Sequence, residues 1–179
     1  MRIIAGAWRG RAIEAPAGTA TRPTSDRARE GLFSMLTSRI GSFEDLAVAD
    51  LFAGTGAAGL EALSRGAARC TFVETDRAAL EALRRNVAKL GAEDRADVRA
   101  LDATRFSGGP FHLVLLDPPY GSGLGGKAIL NLIETGALAP GCLIALETGR
   151  AEEIVIEGVE HVAERNYGKA RILLLRKTA

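Results

Sequence analysis

The stretch LVLLDPPYGSG, Leu113–Gly123, ends an apolar run with a carboxylate, two prolines, a tyrosine and a glycine. A turn after a strand calls for proline or glycine, but it has no use for the acid or the aromatic. Those two residue types suit one chemistry well. The exocyclic amine of a nucleobase is a poor nucleophile, because its lone pair is delocalised into the ring. Two hydrogen-bond acceptors that draw on its hydrogens favour a pyramidal nitrogen and aim the lone pair outward. Asp117 supplies a carboxylate, and the main-chain carbonyl of Pro118 supplies a second acceptor. Pro118 and Pro119 fix the local φ angles and so hold that carbonyl in place. Tyr120 offers a face on which a base can stack. An ordinary aspartate titrates at about 3.9, a poor match to a neutral arylamine. Orientation of the amine and stabilisation of developing positive charge therefore suit Asp117 better than general-base work.

A second constellation lies upstream. DLFAGTGAAGLEA carries Gly54, Gly56 and Gly59 in a GxGxxG spacing between an apolar run and a helical pattern. Glycines permit a sharp turn and a close approach of backbone to ligand. Glu74 follows Gly54 at the end of the next apolar run, where it can accept hydrogen bonds from ribose hydroxyls. The pattern predicts a cofactor that carries a nucleoside. A dinucleotide would place its pyrophosphate on the helix N-terminus; the glycines alone leave that choice open. Asp102, in RALDA, ends a further apolar run and reads either as a ligand contact or as a helix cap.

Both constellations need a scaffold that brings run ends together. From Leu46 the chain alternates strand and helix. Strands are expected at 46–52, 69–74, 96–102, 111–117 and 141–148, with helices at 56–67, 76–91 and 126–138. In the second helix Leu80, Leu83, Val87 and Leu90 recur at three and four, the spacing of one buried face, between an Asp76 cap and a Gly91 stop. Near-continuous apolar strands separated by helices predict an α/β fold with a parallel sheet covered on both faces. Ligands then bind at the carboxyl ends of the strands. The tail, EEIVIEGVEHVAERNYG and KARILLLRK, reads as an antiparallel pair closing the sheet. Residues 1–43 form a separate extension, a small hairpin in RIIAGAWRGRAIEA and an amphipathic helix in SDRAREGLFSMLTSRIG. Residues 44–179 form the main domain.

Composition narrows the class. With 47% hydrophobic and 25% charged residues, the 179-residue chain reads as an ordinary globular protein. No apolar run reaches membrane length, and no signal peptide is visible; the expected location is the cytoplasm. Cys70 and Cys142 each sit in an apolar segment and read as buried free thiols. The net charge of +1 hides an asymmetry, since residues 1–43 carry seven arginines against three acids. That permits a polyanionic partner. GSGLGGKA nearly spells a phosphate loop, but Ala128 replaces the hydroxyl that would hold magnesium. His112 and His161 lack partners at ligand spacing, so no metal is expected.

These motifs together resemble known proteins. D-x-F-x-G-x-G over Asp50–Gly56 is similar to motif I of Rossmann-like methyltransferases that use S-adenosylmethionine. Across its length the chain resembles the RsmD family, bacterial methyltransferases of the guanine N2 amine in 16S ribosomal RNA. RIIAGAWRGR, RPTSDRAREGLFSML, DLFAGTGAAGLEALSRGA, FVETD, LLDPPYG and ERNYGKARILLL carry the likeness; Ala7 stands where that family often has lysine. The resemblance implies a class I fold, with a seven-stranded, mostly parallel sheet in the order 3-2-1-4-5-7-6. It implies S-adenosylmethionine held by Asp50, Phe52, Ala53, Gly54, Thr55 and Gly56 at its methionine part. Glu74 and Thr75 would take the ribose, and Asp102 and Ala103 the adenine. Asp117, Pro118, Pro119 and Tyr120 would be catalytic. Candidate RNA contacts are Arg2, Arg9, Arg11, Arg22, Arg27 and Arg29, with Lys169 and Arg171 as lesser ones. The partner it implies is 16S ribosomal RNA within a small-subunit assembly particle, met by a monomer. DPPY is shared with adenine N6 enzymes, so that amine stays as an alternative. A nicotinamide oxidoreductase and a noncatalytic RNA-binding factor are the other readings of the glycine loop.

Overall fold

The structure, a computed structural model, describes residues 1–16 and 23–179. Seven strands form one sheet: β1 Ala47–Leu51, β2 Arg69–Glu74, β3 Ala96–Ala100, β4 Phe111–Leu116, β5 Leu138–Gly149, β6 Val159–Tyr167 and β7 Ala170–Lys177. Helices α1 Pro23–Ile40, α2 Ala57–Ser64, α3 Arg77–Leu90 and α4 Leu124–Glu134 cover it. The order is β3-β2-β1-β4-β5-β7-β6. The first five are parallel neighbours, and β7 runs antiparallel between β5 and β6. The order reverses between β1 and β4, which makes their carboxyl ends the natural place for a ligand. No helix among the described residues is long and apolar enough to cross a membrane.

Strand parity builds two cores. Val48, Phe72, Leu113, Leu115, Leu143 and Ala145 pack on one face with Phe33 and Leu36 of α1, Leu60 and Leu63 of α2, and Leu83 and Val87 of α3. Ala49, Leu51, Val73, Val114, Leu116, Ile144 and Leu146 pack on the other with Ile129 and Leu132 of α4. Because strand side chains alternate, Glu74, Asp117 and Glu147, each at or just past the core positions of its strand, fall on the first face with Asp50. Four carboxylates thus reach the same side of the sheet.

α3 matches its pattern: Asp76 caps it by accepting from Ala79 N at 2.8 Å, and Gly91 closes it at φ 67°. Three elements differ from expectation. α4 begins at Leu124 and ends at Glu134, so it takes up Gly125 and Gly126 of GSGLGGK, with Gly123 as its N-cap. A Cβ on Gly125 would come within 2.7 Å of Leu146 and 3.0 Å of Pro118. That glycine lets α4 lie close on the sheet. The tail strand starts only at Val159. Ahead of it Ile154 and Ile156 pack on the α4 side, while Val155 is 95% exposed. Alternation there serves packing of an irregular segment, because Val159 already pairs with Lys177, the last residue of β7, and the residues before it have no strand to join. The N-terminal hairpin is reduced to one bridge, Arg2 with Ala12, flanked by bonds such as Ile3 N to Arg11 O and Ile13 N to Met1 O.

Side chains of the main domain anchor that reduced hairpin. Glu61 of α2, fully buried, accepts from Ile4 N at 2.9 Å and Ala5 N at 3.0 Å, and pairs with Arg65 at 3.0 Å. Ser64 Oγ donates to Ala5 O and accepts from Trp8 N. Asn86 of α3 accepts from Glu14 N and donates to Glu14 O and Thr55 O. Ile3, Ile13, Phe33 and Leu36 join the first core, so residues 1–16 and α1 pack as part of the same body. Trp8 packs against that core with Arg95 over its ring at 5.1 Å. Cys70 and Cys142 are buried free thiols.

Candidate active site

The glycine loop between β1 and α2 turns through left-handed backbone at Phe52 (φ 59°), Gly54 (φ 57°) and Gly56 (φ 85°). A non-glycine residue held there is strained. At Gly54 a Cβ would meet nothing within 4 Å, so its side is open to the cavity. At Gly59 a Cβ would meet Phe72 at 2.3 Å, which lets α2 pack hard on β2. The GxGxxG therefore splits its work between ligand access and helix packing.

Two carboxylates brace this loop. Glu74, ending β2, accepts from Gly54 N at 2.8 Å through one oxygen, and from Thr75 N and Asp76 N through the other. Asp50, 3% exposed, accepts from Gly59 N at 2.9 Å. Burial pushes the Asp50 carboxyl up to about 8, aided by Asp117 and Glu74 and opposed by the Gly59 bond. Asp102 caps the short 3-10 turn Ala103–Arg105, with Oδ1 accepting from Thr104 N and Oγ1. Those bonds lower its pKa.

DPPY emerges from β4 beside the loop, with Asp117 N donating to Leu51 O at 3.4 Å. Two cavities meet here. One, of about 280 Å³, is lined by Asp50, Phe52–Thr55, Asp117, Glu147 of β5 and Arg29 of α1. The other, of about 660 Å³, is lined by Glu74, Thr75, Asp102, Ala103 and Pro118–Tyr120. Phe52, Gly54 and Asp117 border both. Solvent reaches the Asp117 side chain at the cavity mouth, yet the surrounding walls and then the Glu147 charge raise its carboxyl to about 7. Tyr120 is 49% exposed and donates its hydroxyl to Glu147 Oε1 at 2.5 Å. Burial, with that carboxylate, holds the phenol well above its ordinary range, so it stays a donor. Ser122 engages the Pro119 carbonyl.

The arginines divide. Arg2, Arg9 and Arg27 are exposed and line a groove of about 590 Å³ between the N-terminal segment and α1. Arg11 is exposed on the same segment and donates to Lys89 O at 2.6 Å. Arg29 is not on that surface: it is 7% exposed, donates to Arg2 O at 2.5 Å, and faces Asp26 at 3.5 Å. It and Met1 border both the groove and the carboxylate-lined cavity. Lys169 is exposed at the β6–β7 turn and does not line this groove. Arg171 is half-buried and spent on Thr148, Glu152 and Glu164. Arg22 lies outside the described residues. His112 accepts from Ala47 N and is structural.

Sequence reasoning missed Glu147, Glu61, Ser64 and Asn86. Glu147 had a signal, since it shares the parity of Leu143 and Ala145. Glu61 had one too: α2 is apolar nearly all round, which leaves a lone glutamate no solvent face.

The donor set tests what cofactor fits. Asp50, Glu74, Asp117 and Glu147 set four carboxyl groups around the loop, an environment that favours a cation and disfavours an anion. A pyrophosphate at the N-terminus of α2 would meet that field unfavourably. A cation with a nucleoside fits it: the carboxyl groups offset the charge, and the open side of Gly54 admits close approach. S-adenosylmethionine, with its sulfonium and ammonium groups, answers that description.

Comparison with known proteins agrees with this geometry. Residues 1–176 match the family model described as conserved hypothetical protein 95. The chain is 43% identical over 150 residues to ribosomal RNA small subunit methyltransferase D of Escherichia coli K12, covering 83% of this chain and 74% of that protein. A solved Escherichia coli chain, yhhF, superposes with TM-score 0.87 at 36% identity, covering 100% of this chain and 98% of the other. Magnesium protoporphyrin IX methyltransferase from Synechocystis, solved with bound SAM, superposes at 0.68 with 12% identity, covering 90% and 87%, a likeness of fold.

Proposed function

Because the chain belongs to the conserved hypothetical protein 95 family, the RsmD family, we propose that it is an S-adenosylmethionine-dependent ribosomal RNA methyltransferase acting on the N2 amine of a guanine in 16S ribosomal RNA. The observation that carries the reading is the position of Asp117, which borders both the Glu74–Asp102 cavity and the carboxylate-lined cavity. A carboxylate placed there is within reach of a donor that spans the two cavities and of an amine brought against its methyl group.

Asp50 and the Phe52–Gly56 loop hold the methionine part of the donor, Glu74 and Thr75 the ribose, and Asp102 and Ala103 the adenine. When bound, the donor would supply an electrophilic methyl group and leave as the neutral thioether S-adenosylhomocysteine. The chain's own residues do the rest. Asp117 accepts one hydrogen of the target amine. The Pro118 carbonyl accepts the other, since Ser122 takes up that of Pro119. Together they aim the nitrogen lone pair, which is catalysis by orientation. As positive charge develops on the nitrogen, the Asp117 carboxylate stabilises it, and the acidified proton then passes to water at the exposed mouth of the site. Tyr120 stacks on the base. The Arg2, Arg9 and Arg27 groove, continuous with the site through Met1 and Arg29, takes the RNA backbone. The modest net charge suits a substrate already folded with proteins, a small-subunit assembly particle, better than naked RNA.

The test is labelled methyl transfer to small-subunit particles, followed by nucleoside analysis. N2-methylguanosine is expected, with Asp117→Ala abolishing transfer while donor affinity stays within about threefold. N6-methyladenosine, or unchanged turnover in the variant, would overturn the assignment.

A further inference from the structure

We infer that Glu147 selects guanine by accepting the base's N1–H beside the N2 amine held at Asp117, an assignment that rests on the guanine-N2 reading above. Leu146 of β5 lies opposite Leu116 of β4 in parallel register. The next residue on each strand is Glu147 and Asp117, so the two carboxylates leave the sheet side by side on one face. Both line the cavity of about 280 Å³. Neither forms an ion pair among the described residues. Adjacent unpaired carboxylates repel one another, so their placement costs stability and points to a ligand rich in donors.

Guanine is such a ligand. Its Watson–Crick edge carries two neighbouring donors, N1–H and the N2 amine, whereas adenine presents a lone pair at N1. A carboxylate at N1 therefore accepts from guanine and repels adenine, and an unmatched buried acceptor is what gives strong discrimination. The Tyr120 hydroxyl fixes one oxygen of Glu147 at 2.5 Å. That bond orients the carboxylate next to the ring that stacks on the base and leaves Oε2 to accept. An opposing explanation gives Glu147 the single task of anchoring Tyr120, and the experiment separates the two.

Small-subunit particles are reconstituted with 16S RNA carrying either guanosine or 2,6-diaminopurine riboside at the target. The analogue keeps the N2 amine but replaces N1–H by a lone pair. The wild-type protein is expected to favour guanosine in kcat/KM by roughly a hundredfold. In Glu147→Gln the amide can turn its NH2 toward the lone pair while its oxygen still accepts from Tyr120, and the preference falls to within about threefold of unity. Glu147→Ala reduces the preference as well, so the result does not depend on one variant folding. Tyr120→Phe keeps the carboxylate and at least about tenfold preference for guanosine. Equal losses on both substrates in the Glu147 variants overturn the assignment. So does a collapse of preference in Tyr120→Phe, which would show Glu147 acting through the tyrosine. If wild-type protein methylates adenine N6 and no guanine N2, the underlying reading has failed, and that is seen before any variant is made.

Discussion

Asparagine at position 50 should make this protein more stable and a poorer binder of its donor, by amounts that depend on pH. Asp50 is 3% exposed on β1 and bonded to Gly59 N. Burial, then the charges of Asp117 and Glu74, move its carboxyl from 3.8 to about 8. Between those values the folded chain holds a proton that the unfolded chain has released. Stability is therefore fully present below the ordinary pKa and is lost as pH rises through about 8. The slope is about 1.4 kcal/mol per pH unit, and the whole window sets a ceiling of roughly 6 kcal/mol. Asp50→Asn keeps an oxygen for Gly59 N and has no proton to lose. Near pH 4 the variant should lie within about 1 kcal/mol of the parent; at pH 9 it should be more stable by about 2–5 kcal/mol.

Urea unfolding at several pH values reads this as a shift in midpoint at constant m. Other titrating groups cancel in the difference between the two proteins. A gain that does not change with pH would refute the argument, because it would place the strain in packing and not in charge. The same variant should bind S-adenosylmethionine less tightly, most visibly above pH 7, where the parent's carboxylate is increasingly ionised. A group that destabilises its own fold while serving a ligand is a trade between stability and activity.

Other outcomes follow from the same geometry. With Asp117 raised to about 7 by burial and Glu147, the carboxylate form needed for amine orientation is lost as pH falls below that value. Methyl transfer at subsaturating donor should then drop, by at most about tenfold per unit, and a flat profile from pH 6 to 8 would contradict the role. Glu61→Gln puts an amide NH2 against one of the two N–H groups now accepted and uncouples Arg65. A loss of about 2–4 kcal/mol is expected in urea unfolding, with early proteolysis in the N-terminal segment. Replacing Arg2, Arg9 and Arg27 together by glutamine should weaken particle binding and reduce its salt slope by about one for each phosphate no longer neutralised, with donor affinity unchanged by calorimetry.

Much of this site was legible because its chemistry sits in contiguous motifs. Asp117–Tyr120 and Asp50–Gly59 each occupy one strand end and its loop, so local sequence carried both residue type and position. The α3 boundaries were legible for the same reason, since Asp76 and Gly91 act within one turn of the helix. What escaped depended on long-range packing. Whether RIIAGAWRGRAIEA would hold itself by a ladder or be held by its surroundings is decided by Glu61, Ser64 and Asn86, some 56 to 72 residues away. Arg29 looked like any other basic residue of the arm. Its burial follows from how α1 lies over the sheet, and the sequence spacing within α1 cannot reveal that.

Glu147 shows where the boundary between these cases lies. In LIALET the alternation that buries Leu143 and Ala145 on one face also assigns Glu147 to it, so its orientation was readable from the strand itself. Its neighbour was a matter of topology, since only the adjacency of β4 and β5 sets it beside Asp117. Strand order and register together decide it: the residues that follow the Leu116–Leu146 pair, one on each of two parallel neighbours, share a parity and present their acids together. A lone acid at a strand end reads as a cap or a solvated terminus. Two acids presented together, neither in an ion pair among the described residues, form a paired acceptor, and a paired acceptor is a property that no single motif of either strand contains.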